Sequence, residues 1–152
     1  MKKLGFVTAG LVALGMAVAP EASASQYVRT ESGRVRCVVG PDKVACEAGG
    51  PGSTGFLQAP ITMPESQCRY APCPGGMHRD LAEVAASGAF RWMDGNIGGV
   101  GQDWAQTDTT LNYGQTYQIQ GWTVLPNSDG TRFTNDGTGH GMFVSIENVA
   151  PF

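Results

Sequence analysis

Arg34-Val35-Arg36-Cys37-Val38-Val39-Gly40-Pro41-Asp42-Lys43-Val44-Ala45-Cys46-Glu47 is the stretch that decides the fold. Val35, Cys37 and Val39 alternate with Arg34 and Arg36, the period of two expected of a strand with one buried face. Lys43 to Glu47 continues in the same style after Gly40-Pro41-Asp42, where proline presets the φ of a turn and aspartate suits the next corner. If Pro41 and Asp42 form a two-residue loop, Gly40 and Lys43 close it, and Cys37 faces Cys46 at a non-hydrogen-bonded site. Cα atoms there lie about 4.5–5.5 Å apart, within reach of a disulfide. A four-residue loop would make the same two residues a hydrogen-bonded pair, still bridgeable.

The chain has four cysteines, for which three pairings are formally open. The hairpin favours Cys37 with Cys46, which leaves Cys68 with Cys73 to close a small ring that carries Arg69 and Tyr70. Cys68, Cys73 and His78 also fall at even intervals of five. Structural zinc sites space their ligand pairs more closely, and an oxidising compartment removes the thiolates that zinc needs. Two disulfides and no metal are therefore expected.

That compartment is read from the first residues. Lys2 and Lys3 precede an apolar run from Leu4 to Ala19, and Ala22-Ser23-Ala24 forms a small-x-small site. The three together predict a signal peptide over 1–24, removed on export, and a single domain over 25–152. No apolar run of spanning length follows, so no transmembrane segment is expected after cleavage. The 152 residues carry 10 Lys and Arg against 13 Asp and Glu, a net charge of −3, and the leader takes Lys2, Lys3 and Glu21 with it. An acidic balance argues against nucleic acid as a partner, which requires a concentrated basic face.

Working outward from the cysteine hairpin, Tyr27 to Glu31 precedes it across a Ser32-Gly33 turn. Gly49 to Gly55 is a loop, Phe56 to Ala59 a short extended piece, and Pro60 to Gly76 an irregular excursion held by its own bridge. Leu81 to Ala86 has good helix formers and a cap in Asp80, but with the tight turn at Ser87-Gly88 and the alternation of Ala89 to Met93 the preferred reading is a hairpin. Gln115 to Leu125 is one long strand candidate with Gly121 as a bulge, returning through a loop at 126–130 to Thr131 to Asn135. A turn at Asn135-Asp136-Gly137 leads to an apolar strand from Gly141 to Ile146. The 22 glycines, about twice the usual share, imply many turns. The expected fold is all-β: a compact β-sandwich or small β-barrel of about seven to nine short antiparallel strands.

The strings Leu111-Asn112-Tyr113-Gly114-Gln115-Thr116-Tyr117, Gly121-Trp122-Thr123, Gly130-Thr131-Arg132-Phe133-Thr134-Asn135 and Thr138-Gly139-His140-Gly141-Met142-Phe143-Val144-Ser145 resemble a group of small exported proteins of mycobacteria and related actinobacteria. The resemblance covers most of the chain after the leader. It implies a secreted, extracellular or cell-wall protein and supplies no catalytic residue.

Candidate chemistry is sparse. His140 lies between glycines with Asp136 four residues back, a pair that could work as acid and base. Ser145 lacks the elbow that exposes a nucleophile. Ribonuclease-like chemistry would need His78, His140, Glu83 and Arg132 to converge. Arg69 and Tyr70, on their disulfide ring, could present a protease-inhibitor-like loop. Trp92, Trp104 and Trp122 with Tyr113 and Tyr117 could line a ligand-binding face, Trp104 and Tyr113 being the best placed, although such side chains more often form the core. No motif calls for a cofactor. The favoured reading is a non-enzymatic binding module for a protein, envelope or carbohydrate partner; the rival is a secreted hydrolase using His140.

Overall fold

The computed structural model describes residues 24–49, 53–69, 72–98 and 108–152. The leader thus falls almost wholly outside the described residues, as do Tyr70 and Trp104. Thirteen strands are described: β1 Gln26–Thr30, β2 Val35–Val39, β3 Lys43–Ala48, β4 Ile61–Met63, β5 Met77–His78, β6 Leu81–Ala85, β7 Phe90–Met93, β8 Thr109–Leu111, β9 Tyr117–Ile119, β10 Trp122–Asn127, β11 Gly130–Asn135, β12 Gly141–Val144 and β13 Val149–Pro151. They build a six-stranded sheet in the order β7-β6-β3-β2-β1-β8, a five-stranded sheet in the order β13-β12-β11-β10-β9, and a ribbon of β4 and β5. Both large sheets keep free edges, so the fold is a sandwich and no barrel closes.

The cysteine hairpin forms as its sequence dictates. The Gly40 amide bonds the Lys43 carbonyl at 2.9 Å, and Cys37 stands opposite Cys46 with 4.0 Å between Cα atoms. Both disulfides, Cys37–Cys46 and Cys68–Cys73, are formed. The first is wholly inside the sandwich, where the row Val28, Cys37, Cys46, Ala82 faces Val124, Phe133 and Met142 of the other sheet. Trp122, fully buried, donates its indole N–H to the Gly40 carbonyl at 2.9 Å and so joins the five-stranded sheet to the hairpin turn of the six-stranded one.

Four expectations need correction. The strands number thirteen because the excursion contributes β4 and β5, the 115–125 segment is two strands, and β8 and β13 form where none was expected. Gln120 and Gly121, at φ 53° and 80°, make a tight turn that pairs Ile119 with Trp122, where a continuous strand with a bulge was expected. Positive φ at both corners is the geometry whose twist matches a two-residue hairpin. Phe56 to Ala59 is closed by an Ala59 N–H bond to the Phe56 carbonyl and is not extended. Finally, β8 runs parallel to β1, which the long connection after β7 permits.

The outer face of the six-stranded sheet is covered. Arg36, 6% exposed, pairs with Asp108 through Nε and, at 3.1 Å, through Nη2; it also donates to the Gly98 carbonyl and stacks 4.9 Å over the Tyr27 ring. The hydrogen bond to Asp108 holds the Arg36 pKa above its ordinary value against the opposing effect of burial. Beside it, Glu83 accepts from Lys43 Nζ at 2.8 Å and Arg91 Nε at 2.7 Å.

Burial alone pushes the Glu83 carboxyl up, but the Lys43 and Arg91 hydrogen bonds outweigh it and leave the group below its ordinary range. A carboxylate whose folded pKa is depressed adds stability above its unfolded value, about 4.3, and loses it as pH falls through the folded value. Glu83→Gln is therefore expected to flatten the loss of stability on acidification below about pH 4.3. Urea unfolding over a pH series checks this, and an acid limb identical to that of the unsubstituted protein contradicts it.

Candidate binding cleft at one end of the sandwich

Because most strands are joined by tight turns, the connections alternate between two ends of the sandwich. One end gathers the turns at 40–42, 86–89, 120–121 and 136–140, as the Trp122–Gly40 bond and the bond from Thr138 Oγ1 to the Ala86 carbonyl record. The other gathers the 31–34 turn, residues 112–116, the Ser128-Asp129 turn and the 145–148 loop.

Those four segments surround a cleft of about 210 Å³. Val35, Val144 and Ile146 back it beside Thr30, and its rim carries Arg34, Tyr113, Asn127, Asp129 and Glu147. Thr131, the cross-strand partner of Val144, is fully buried just inward of the cleft, and its hydroxyl has no hydrogen-bond partner among the described residues.

Each rim group is positioned by local chemistry. The amide of Tyr113 donates to Glu31 Oε2 at 2.9 Å, tying the 112–116 segment to the β1–β2 turn. The Asn127 carboxamide oxygen accepts the Ser128 amide at 2.8 Å, an arrangement by which asparagine starts a turn. Ser145 and Asn148 close their loop reciprocally, Ser145 N to Asn148 O at 2.8 Å and Asn148 N to Ser145 Oγ at 3.1 Å. Arg34 Nη2 meets Glu147 Oε1 at 2.7 Å across the mouth, and that hydrogen bond holds the Glu147 carboxyl below its usual range. Both side chains are more than half exposed, so solvent screens the pair and it contributes little stability. Polar groups set around a concavity, on loops fixed by a rigid scaffold, are the usual makings of a small-ligand site.

Of the side chains weighed from the sequence that fall among the described residues, Tyr113 and Ser145 line this cleft. His140 and Asp136 are at the far end and do not form a dyad: Asp136 Oδ1 accepts the Thr123 hydroxyl, while His140 Nδ1 lies 3.3 Å from the Phe152 main-chain oxygen and its ring rests on Gly88. A Cβ at Gly88 would come within 2.9 Å of that ring, which is why the position is glycine.

The ribonuclease-like set is dispersed. His78 on β5 holds the Ala59 carbonyl at 2.7 Å, Glu83 is taken by Lys43 and Arg91, and Arg132 projects from the outer face of the five-stranded sheet. Ser145 is used in its loop. Trp122 is core, Trp92 packs against Phe56 and Phe90 with ring centroids 5.7 and 5.2 Å away, and the Tyr117 hydroxyl accepts the Asn112 amide at 2.9 Å. Arg69 is exposed beside the Cys68–Cys73 bridge.

A depression beside His78 includes Asp80 and Asp94, but Asp80 accepts the Gly95 amide and Asp94 pairs with Arg79 at 2.8 Å. No group of three His, Cys, Asp or Glu among the described residues is arranged to hold a metal. Likewise, no helix among them is long and apolar enough to cross a membrane.

Comparison with known proteins returned no matching family model, curated protein or solved structure.

Proposed function

We propose that the protein is an exported binding module that holds a small polyhydroxylated ligand, such as a saccharide unit, in the cleft framed by Arg34, Tyr113, Asn127, Asp129 and Glu147. The carrying observation is the convergence of four separate connections on one polar-rimmed cleft. The rim carboxylates accept from vicinal hydroxyls, the Arg34 guanidinium donates, the Asn127 carboxamide can do both, and an aromatic ring offers a face to the C–H side of a sugar. Support for export comes from the signal-peptide pattern together with two formed disulfides, which belong to oxidising compartments. Residence outside the cell or in its wall, and kinship with small actinobacterial exported proteins, are part of the same proposal.

Titration of the 15N-labelled protein with neutral, N-acetylated and uronic disaccharides tests it. Saturable shifts are expected at Arg34, Tyr113 and Asn127, and Tyr113→Ala and Arg34→Ala are each expected to weaken binding about tenfold, the worth of one good contact. His140→Ala is expected to leave it unchanged. No saturation with any disaccharide, or a loss confined to His140→Ala, overturns the reading. Mass spectrometry of the exported protein is expected to show Ser25 first and no free thiol.

A further inference from the structure

The two outer faces of the sandwich differ. That of the six-stranded sheet buries Arg36, Ala45, Leu81 and Glu83, whereas that of the five-stranded sheet leaves Leu125 42% and Phe152 37% exposed beside the basic side chain of Arg132. Cross-strand register sets Leu125, Arg132, Phe143 and Ala150 in one outward row.

Arg132 is preorganised. Its guanidinium carbon lies 3.6 Å from the centroid of the Phe152 ring, a stacked geometry that fixes the plane of the fork. Among the described residues no carboxylate or carbonyl takes its N–H groups, while Arg34, Arg36, Arg79 and Arg91 are matched to Glu147, Asp108, Asp94 and Glu83. Next to it opens a groove of about 370 Å³, walled by Leu125, Pro126 and Phe143 and ended by Asp129. Phe143 lies flat on Gly130, where a Cβ would come within 2.2 Å of the ring, so this wall is fixed as well.

We propose that this groove binds a small organic carboxylate with an apolar body, the acid group taken in two-pronged fashion by Arg132 and the body laid against Leu125 and Phe143. Charge complementarity selects the occupant. An unmatched guanidinium in apolar surroundings is a strong donor to a carboxylate, and the stacking on Phe152 lowers the ordering cost that a free arginine would incur. Asp129 at the opposite end of the groove repels a second anion and sets which way the ligand lies. This site is on a different face from the proposed saccharide cleft and shares with it only the hairpin tip.

The test uses 3-phenylpropionate, with 3-phenylpropan-1-ol and acetate as controls, followed on the Arg132 Nε–Hε resonance and the backbone amides of the 15N-labelled protein. The acid is expected to bind saturably with shifts at Leu125, Arg132 and Phe143. The alcohol, lacking charge, and acetate, lacking the body, are each expected to bind at least about tenfold more weakly. Arg132→Gln is expected to lose the acid by a similar factor, and Arg132→Lys, which keeps the charge but not the fork, to fall between. Four results would overturn the proposal: equal binding of the alcohol, equal binding of acetate, undiminished binding by Arg132→Gln, or shifts at Tyr113 in place of Arg132.

Discussion

Asp108→Ala is expected to lower folding stability by about 3–5 kcal/mol, the usual cost of leaving one half of a buried ion pair unmatched. The Arg36 and Asp108 side chains are 8% and 0% exposed, so neither can recover water when its partner goes. Arg36 keeps an acceptor in Gly98, a stacking partner in Tyr27 and the attraction of Glu47 on the neighbouring strand, which soften the loss without replacing the two-pronged bond to Asp108. Arg36→Met combined with Asp108→Leu removes both charges and is expected to restore much of the loss, since a well-packed apolar pair often equals a buried ionic one. Urea midpoints at constant slope measure both effects. A double variant no better than the single one would mean that the pair is held for packing and not for charge. Ile97 provides a local readout: its amide donates to Glu47 Oε2 at 3.0 Å, and its exchange with solvent is expected to speed up in Asp108→Ala.

Trp122→Ala is expected to cost a further-ranging about 3–5 kcal/mol, because it empties the largest fully buried side chain and leaves the Gly40 carbonyl without its indole donor. The surrounding groups come from two sheets, so the void cannot collapse by the shift of one element. Trp122→Phe separates the contributions. It keeps an aromatic ring in the core and deletes the N–H, and a loss of about 1–3 kcal/mol is expected. Should Trp122→Phe be as stable as the parent, the bond to Gly40 contributes nothing and the core term carries the whole effect.

The cysteine hairpin was legible because everything that sets it is local: alternation, a Pro-Asp corner and two cysteines equidistant from it. The Gln120-Gly121 turn was not, because glutamine carries little preference for positive φ. It is held there by a partner remote in sequence, the Asp136 amide donating to the Gly121 carbonyl at 2.9 Å, while Ile119 and Trp122 pair across it. The same distinction governs the site. Tyr113 drew notice as an aromatic, whereas Arg34 and Glu147 are 113 positions apart and look like ordinary turn residues. Counting turns along the meander would have placed them at one end, since successive hairpins reverse direction. Asp136 and His140 illustrate the opposite error: four residues bring side chains together on a helix, but here they begin and end a turn, and Thr123 on the adjacent strand captures the carboxylate.

Each cysteine is bonded to its nearest neighbour in the sequence, the two links spanning 9 and 5 positions. A chain threaded through a pore N-terminus first therefore delivers every thiol just ahead of its mate. Each link can close before the next cysteine emerges, and no mispaired species has to be reshuffled. Under the export proposed above, oxidation should consequently proceed in order along the chain and tolerate the loss of any thiol-isomerising helper.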